Sequence, residues 1–167
     1  MKTKNNPTLY AITMIEKTKL QMLKLGIEGE IIKHPETDGT HSEVIAKALN
    51  IPLDHIIKCL ILRSKRGKLV SAIILGNQSL DFKKLEEISH MKKFSLASKK
   101  LVQEKIGFPI GGVPPIAAID KIPIFVDEKV MSKNFIIGSA GTPFHGLKLI
   151  PSIFKKFNIT ISDIHKH

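Results

Sequence analysis

The sequence predicts one α/β domain built on a mixed sheet, and three observations carry that reading. His55 to Arg63 and Leu69 to Leu75 are nearly continuous Ile, Leu and Val, so the sheet must be covered on both faces. The link between them, Ser64-Lys65-Arg66-Gly67-Lys68, is short and contains a glycine, which makes the pair an antiparallel hairpin. Segments with helical spacing lie on both sides of this hairpin, interleaved with further strands.

The elements follow in order. From Thr8 to Leu25, apolar residues at Leu9, Ile12, Met14, Ile15, Leu20, Leu23 and Leu25 recur near helical spacing, and Gly26 supplies a stop. Glu30 to Lys33 reads as a short strand, ended at His34-Pro35 because the residue before proline avoids the α region. Thr40-His41-Ser42-Glu43 matches a capping box, and Val44, Ile45, Ala48 and Leu49 continue the helix to Asn50. After the hairpin, Leu80 to Leu85 opens a helix and Phe94 to Ala97 forms a short strand. Ser98 caps a helix that reaches Ile106 and stops at Gly107. Ile110-Gly111-Gly112-Val113-Pro114-Pro115-Ile116 must be irregular, because its glycines and prolines leave no regular option. Ile122 to Val126 and Phe135 to Gly138 are strands, the second followed by a loop over Ser139-Ala140-Gly141-Thr142-Pro143. Leu147 to Ile150 is the last strand and Ser152 to Phe157 a helical turn. No linker divides the chain, so residues 1–167 form a single domain, with 1–7 expected to be flexible.

Composition narrows the function classes. The chain has 167 residues, 43% apolar and 25% charged, ordinary for a globular protein. A lone cysteine, Cys59, excludes an internal disulfide framework and a cysteine-built zinc site, and fits a reducing compartment. The longest apolar run, Ile56 to Leu62, contains Lys58 and falls far short of the roughly 20 residues of a membrane span. The N-terminus is basic but no signal-peptide core follows, so the expected location is the cytoplasm. Lys plus Arg total 26 against 15 Asp plus Glu, a net +11. Such an excess attracts polyanions, of which nucleic acid is the usual one, although a merely soluble basic protein has the same balance. Lysines far outnumber arginines, which favours backbone contact over base reading. With no Trp and one Tyr, no stacking platform for single strands is present.

Lys58 is the most informative residue. It interrupts Ile56-Ile57-Lys58-Cys59-Leu60-Ile61-Leu62 and shares a strand face with Ile56 and Leu60. An unpaired buried ammonium is costly, so Lys58 either reaches a cavity holding an acceptor or anion, or snorkels from a strand edge. Cys59 points to the other face and reads as buried and inert. Gly111-Gly112 and Gly138-x-x-Gly141 are either simple turns or backbone platforms that offer N–H groups to an oxygen. Neither matches a dinucleotide or P-loop motif, and no cofactor is expected. His34, His41 and His145 lie near loops and could act as base or donor, but none forms a metal-binding helix pair with a Glu. The tail His165-Lys166-His167 reads as disordered, Asp127-Glu128 as solvated, and no metal site is expected. Arg63, Lys65, Arg66 and Lys68 crowd the hairpin tip, and Lys83-Lys84, Lys92-Lys93 and Lys99-Lys100 are doublets. They are either solvated faces or one extended nucleic-acid surface.

The ordered set Ile57-Lys58-Cys59-Leu60, Leu80-Asp81-Phe82-Lys83-Lys84-Leu85, Gly107-Phe108-Pro109-Ile110-Gly111-Gly112-Val113-Pro114-Pro115, Gly138-Ser139-Ala140-Gly141 and Ser162-Asp163-Ile164 resembles the YbaK family, relatives of the editing domain of bacterial prolyl-tRNA synthetases. The resemblance implies a mixed, barrel-like sheet surrounded by helices, and hydrolysis of the ester of a mischarged aminoacyl-tRNA. It puts the pocket lysine at Lys58, the Gly-Gly-x-Pro loop at Gly111, Gly112 and Pro114, and the Ser-x-Gly loop at Ser139 and Gly141. The mechanism expected from this has backbone N–H groups of Gly111 and Gly112 holding the ester carbonyl, and His34, Pro114, Ser139 and Gly141 contacting the substrate. It implies tRNA as the partner, with an aminoacyl-tRNA synthetase as a further one. Cysteine-specific members carry a tyrosine near His34 and an acidic residue near Lys148, so the edited residue is open among cysteine, alanine and other small amino acids. A non-catalytic RNA-binding module and a small-ligand sensor are the rival readings.

Overall fold

The computed structural model describes residues 6–35 and 42–167. The first half of the expected capping box, including His41, and residues 1–5 of the expected flexible start lie outside them.

Helix α1 (Pro7–Leu25) starts where the Asn6 side chain accepts the Leu9 N–H at 3.1 Å and ends at left-handed Gly26. Strand β1 (Glu30–Lys33) and α2 (Ser42–Leu49) follow. The hairpin is β2 (Ile57–Arg63) and β3 (Leu69–Leu75), with Lys58 opposite Ile74. Next come α3 (Phe82–Ser89), β4 (Ser95–Leu96), α4 (Lys99–Lys105), β5 (Ile124–Asp127), β6 (Ile136–Thr142), β7 (His145–Leu149) and β8 (Thr160–Ser162). A 3₁₀ turn, Leu53–His55, occupies the expected first residue of β2.

The strands divide into two sheets rather than one. Order β1-β7-β6 is antiparallel, and order β4-β2-β3-β5-β8 is mixed, with β3-β5 and β5-β8 parallel. A bridge between Ile56 and Ile137 joins them. Both faces of the hairpin are covered, as its composition requires. Ile57, Ile61 and Ile73 enter the main core with Phe108, Ile116 and Phe154. Leu62, Val70, Ala72 and Ile74 pack under Leu85 of α3.

Strand β6 corrects the expected loop over 139–143. It runs on to Thr142, with Ser139 opposite Gly146 and a bulge before Thr142. The small residues there answer to close packing. A Cβ on Gly138 would lie 2.9 Å from Pro115, and one on Gly141, at φ 108°, would lie 3.1 Å from Phe108. Thr18 of α1 donates to the Ala140 carbonyl at 2.7 Å across the same contact.

The carboxy-terminal tail is also corrected. His165 is buried, and its Nδ1 lies 2.8 Å from Asp127 Oδ2. Asp127, expected to be solvated, is 0% exposed. Its oxygens accept N–H groups from Ile164 and Lys129 and from the Gln78 side chain as well. Burial would raise its pKa, but these bonds together outweigh it and hold the carboxyl below its ordinary value.

Candidate active site

A cavity of about 110 Å³ opens where the two sheets meet. The start of β2 supplies Ile57, Lys58 and Cys59, and α2 supplies Ser42 and Ile45. The glycine-rich loop contributes Gly111 and Val113, and the β6–β7 hairpin contributes Gly138, Ser139, Thr142 and His145. His34, just past β1, completes the polar wall.

Lys58 reaches the cavity as its place in an apolar strand demands. Its Nζ donates to the Gln78 carbonyl at 2.6 Å, and burial pushes its pKa down. An ammonium has three donors, so two are left for a ligand. Cys59 is part of the wall, but its Sγ pairs with Ser71 Oγ at 3.4 Å and burial pushes the thiol up to about 11, which keeps it protonated.

The glycine-rich loop is used differently from expectation. The Gly112 N–H closes a turn onto the Pro109 carbonyl at 2.9 Å, so it is already spent. Gly112 instead permits close approach, since a Cβ there would lie 3.1 Å from the Gly141 carbonyl. Gly111, at φ 79°, and Val113 line the cavity, and their N–H groups donate to none of the described residues. Pro114 is buried with its carbonyl on the Ala117 N–H, and it and Gly141 lie behind the wall rather than in it.

Ser139 lines the cavity and its Oγ accepts the Gly141 N–H at 3.1 Å. His34 is buried, with its backbone N–H on the Phe144 carbonyl at 3.0 Å and Nδ1 3.2 Å from the Pro35 carbonyl. His145, one of the loop histidines that the sequence offers as base or donor, stands beside it. Its Nδ1 lies 2.7 Å from Thr142 Oγ1. Burial first, then Lys33 and His34, lower its pKa. The signal was its place in a hairpin that returns next to Ser139, visible only once β6 is known to continue.

The basic residues separate into two groups. The Lys65 N–H donates to the Lys92 carbonyl at 2.9 Å and ties the hairpin tip to the α3–β4 connection. Lys65, Arg66, Lys68, Lys92 and Lys93 therefore share one groove, and Arg63 ends the adjacent strand. This groove sits at the far end of β2, roughly 17 Å from Lys58 at ~3.3 Å per residue. Lys83 is exposed on α3. Lys84 is withdrawn from the surface: its Nζ holds both Asp163 oxygens at 2.9 and 2.8 Å and the His165 carbonyl at 2.8 Å.

Asp163, His165 and His167 bring potential ligand atoms within 4.8 Å of one another. Lys84 already neutralises that carboxylate and, with His167, holds its pKa far below the ordinary range. No helix among the described residues is long and apolar enough to cross a membrane.

A proline–tRNA ligase of Thermosipho africanus is 32% identical over 108 residues, covering 64% of this chain and 19% of the ligase. The chain thus spans about a fifth of the length of such ligases. EbsC of Enterococcus faecalis, provisionally named a Cys-tRNA(Pro)/Cys-tRNA(Cys) deacylase, is 32% identical over 114 residues, covering 68% of this chain and 70% of that protein. A crystal structure described provisionally as a trans-editing enzyme for prolyl tRNA synthetase has the same fold, with a TM-score of 0.82 over 92% of this chain and 98% of that one, at 20% identity. The aminoacyl-tRNA editing domain model matches residues 34–157, the span that holds the whole cavity wall. The chain belongs to the aminoacyl-tRNA editing domain family.

Proposed function

We propose that the chain is a trans-editing aminoacyl-tRNA deacylase of the cytoplasm, with a small amino acid on tRNA(Pro), cysteine or alanine, as its target. The observation that carries this reading is the cavity itself: a lysine, two histidines and two backbone N–H donors around about 110 Å³. That is smaller than the ~150 Å³ enclosed cavity that takes a benzene ring, which favours a small side chain.

Lys58 binds a phosphate or ribose oxygen of the tRNA end through its two remaining donors. The Gly111 and Val113 N–H groups hold the ester carbonyl and the oxyanion that develops on it. Water attacks the carbonyl carbon and passes a proton to the neutral His145. The bond to the ribose oxygen then breaks, and that oxygen takes the proton. Ser139 and His34 fix the aminoacyl group, and positioning supplies much of the rate. The groove of Lys65, Arg66, Lys92 and Lys93, with Arg63 and Lys83 flanking, meets the tRNA backbone farther along. A prolyl-tRNA synthetase is the natural source of the mischarged substrate.

Because the pKa of His145 is lowered, it becomes the proton-accepting neutral form at a pH below the ordinary histidine midpoint. The rate should rise from acid with its midpoint below about pH 6.5, the ordinary histidine value, and lose that limb in His145→Ala; a pH–rate profile measures this. The double variant Lys65→Ala/Arg66→Ala should bind tRNA more weakly on every sequence. Its log Kd against log salt slope should fall by about one for each phosphate that the variant no longer neutralises, as filter binding over a salt series would read. The reading as a whole is tested by loss of the amino acid from Cys-tRNA(Pro) and Ala-tRNA(Pro), with Pro-tRNA(Pro) spared.

A further inference from the structure

The turn behind Lys58 is held more firmly than a surface turn requires. Its carbonyl at Gln78 is what fixes the Lys58 ammonium. The Gln78 side chain is tethered at both ends, with Oε1 accepting the Leu75 N–H at 2.9 Å and Nε2 donating to Asp127 Oδ1 at 3.1 Å. Asp127 is fully buried, and its second oxygen accepts from Ile164 N–H at 2.9 Å and pairs with His165 Nδ1 at 2.8 Å. The carboxy-terminal segment grips the turn from its other side. The Lys166 N–H donates to the Ser79 carbonyl at 2.9 Å, and the Asp81 N–H to the Ile164 carbonyl at 2.8 Å. Leu80 and His165 form an isolated bridge between these bonds.

We propose that Gln78 and Asp127 are positioning residues for Lys58, and that Ile164 to Lys166 clamp the turn that carries Gln78. The proposal rests on Lys58 as a substrate-touching group. A lysine is a flexible four-carbon stem with a strongly hydrated head. Left alone, it would extend into solvent from the rim of the cavity. A carbonyl fixed in place selects one orientation and leaves two donors aimed at the ligand. A displacement of about 1 Å at a reacting group can cost about 100-fold in rate, so the firmness of the turn bears directly on turnover. The other charged groups of this region are the Asp54–Lys133 ion pair, Lys129 and Lys166, which share the depression around Gln78 and His165, and Asp163, whose Oδ1 lies 3.2 Å from His165 Nδ1 and whose charge is paired with Lys84. None of them touches Lys58, whose altered titration comes from burial.

The experiment uses the full chain carrying Gln78→Met, Asp127→Asn or His165→Ala. Two quantities are read in each folded variant. One is kcat and KM for deacylation of aminoacyl-tRNA(Pro). The other is the pH dependence of Lys58 acetylation by acetic anhydride, resolved by peptide mass spectrometry and independent of any tRNA. Gln78→Met keeps the length of the side chain and removes both tethers at a half-buried site, so it carries the test if Asp127→Asn fails to fold. It should lower kcat by about tenfold or more with KM little changed, and move the Lys58 midpoint up toward the ordinary lysine value. In an active wild type, either readout unmoved in Gln78→Met overturns the proposal; an unmoved Lys58 midpoint is what a purely structural role gives. If the wild type does not deacylate any substrate while the Lys58 midpoint still moves, the positioning stands and the deacylase reading falls.

Discussion

Lys58→Ala should lower kcat/KM for deacylation by at least about 100-fold while leaving the fold intact. The magnitude follows from the loss of one preorganised charged donor in an enclosed site, which costs about 2.7–4 kcal/mol of transition-state stabilisation. Lys58 is the one lysine or arginine among the described residues lining the cavity, so no neighbour replaces its charge. The fold should tolerate the change because the Lys58 side chain makes one hydrogen bond to the described residues, to the Gln78 carbonyl, and the residue is only partly buried. Lys58→Arg should not restore the rate, since a planar fork does not reproduce a point charge of three donors. Deacylation rates paired with circular dichroism separate chemistry from folding. Full activity in Lys58→Ala would remove the lysine from the mechanism.

Asp127→Ala should destabilise the protein by about 3–5 kcal/mol, the cost of breaking a buried, hydrogen-bonded charge on one side. The variant strands the N–H groups of Ile164 and Lys129 and the Gln78 amide together, and leaves His165 Nδ1 only its longer contact, 3.2 Å to Asp163 Oδ1. Urea unfolding measures the loss. The same residue gives the wild type an acid-sensitive element. Its folded pKa is below its unfolded one, so its contribution is complete above the unfolded pKa near 3.9 and is lost as pH falls through the lower folded value. The difference in unfolding free energy between wild type and Asp127→Ala should therefore be constant above about pH 5 and shrink below pH 4. A variant as stable as the wild type would show that this buried carboxylate is not the tie it looks to be.

What was legible in the sequence follows from local rules. The Asn50 and Gly26 helix stops, the Ser98 cap and the covered hairpin depend on neighbours in the chain, and each is where those rules put it. Lys58 was legible for a different reason: one charge inside an apolar strand must find a partner or a cavity, whatever the rest of the fold does. The groups that escaped depend on contacts between distant segments. Asp127 follows a strand like many solvated acids, and only the returning tail, 37 residues on, buries it. Lys84 looks like its exposed neighbour Lys83 until Asp163 arrives. β6 lacks an apolar run because Gly138 and Gly141 make room for Pro115 and Phe108. Reading it as a loop hid the hairpin that places His145. The Gly112 N–H is a different case: it is spent on a local turn to Pro109 that two adjacent glycines do not announce, and Val113 stands in the wall.

The most direct test is a single-turnover time course with the protein in excess over Cys-tRNA(Pro), Ala-tRNA(Pro) and Pro-tRNA(Pro), following the amino acid that remains on the tRNA. Rapid release of cysteine or alanine, dependent on Lys58, with proline retained, is the predicted result. A tRNA that binds tightly at low salt yet keeps every amino acid at the spontaneous rate would contradict the account and make this a binding module with an idle cavity.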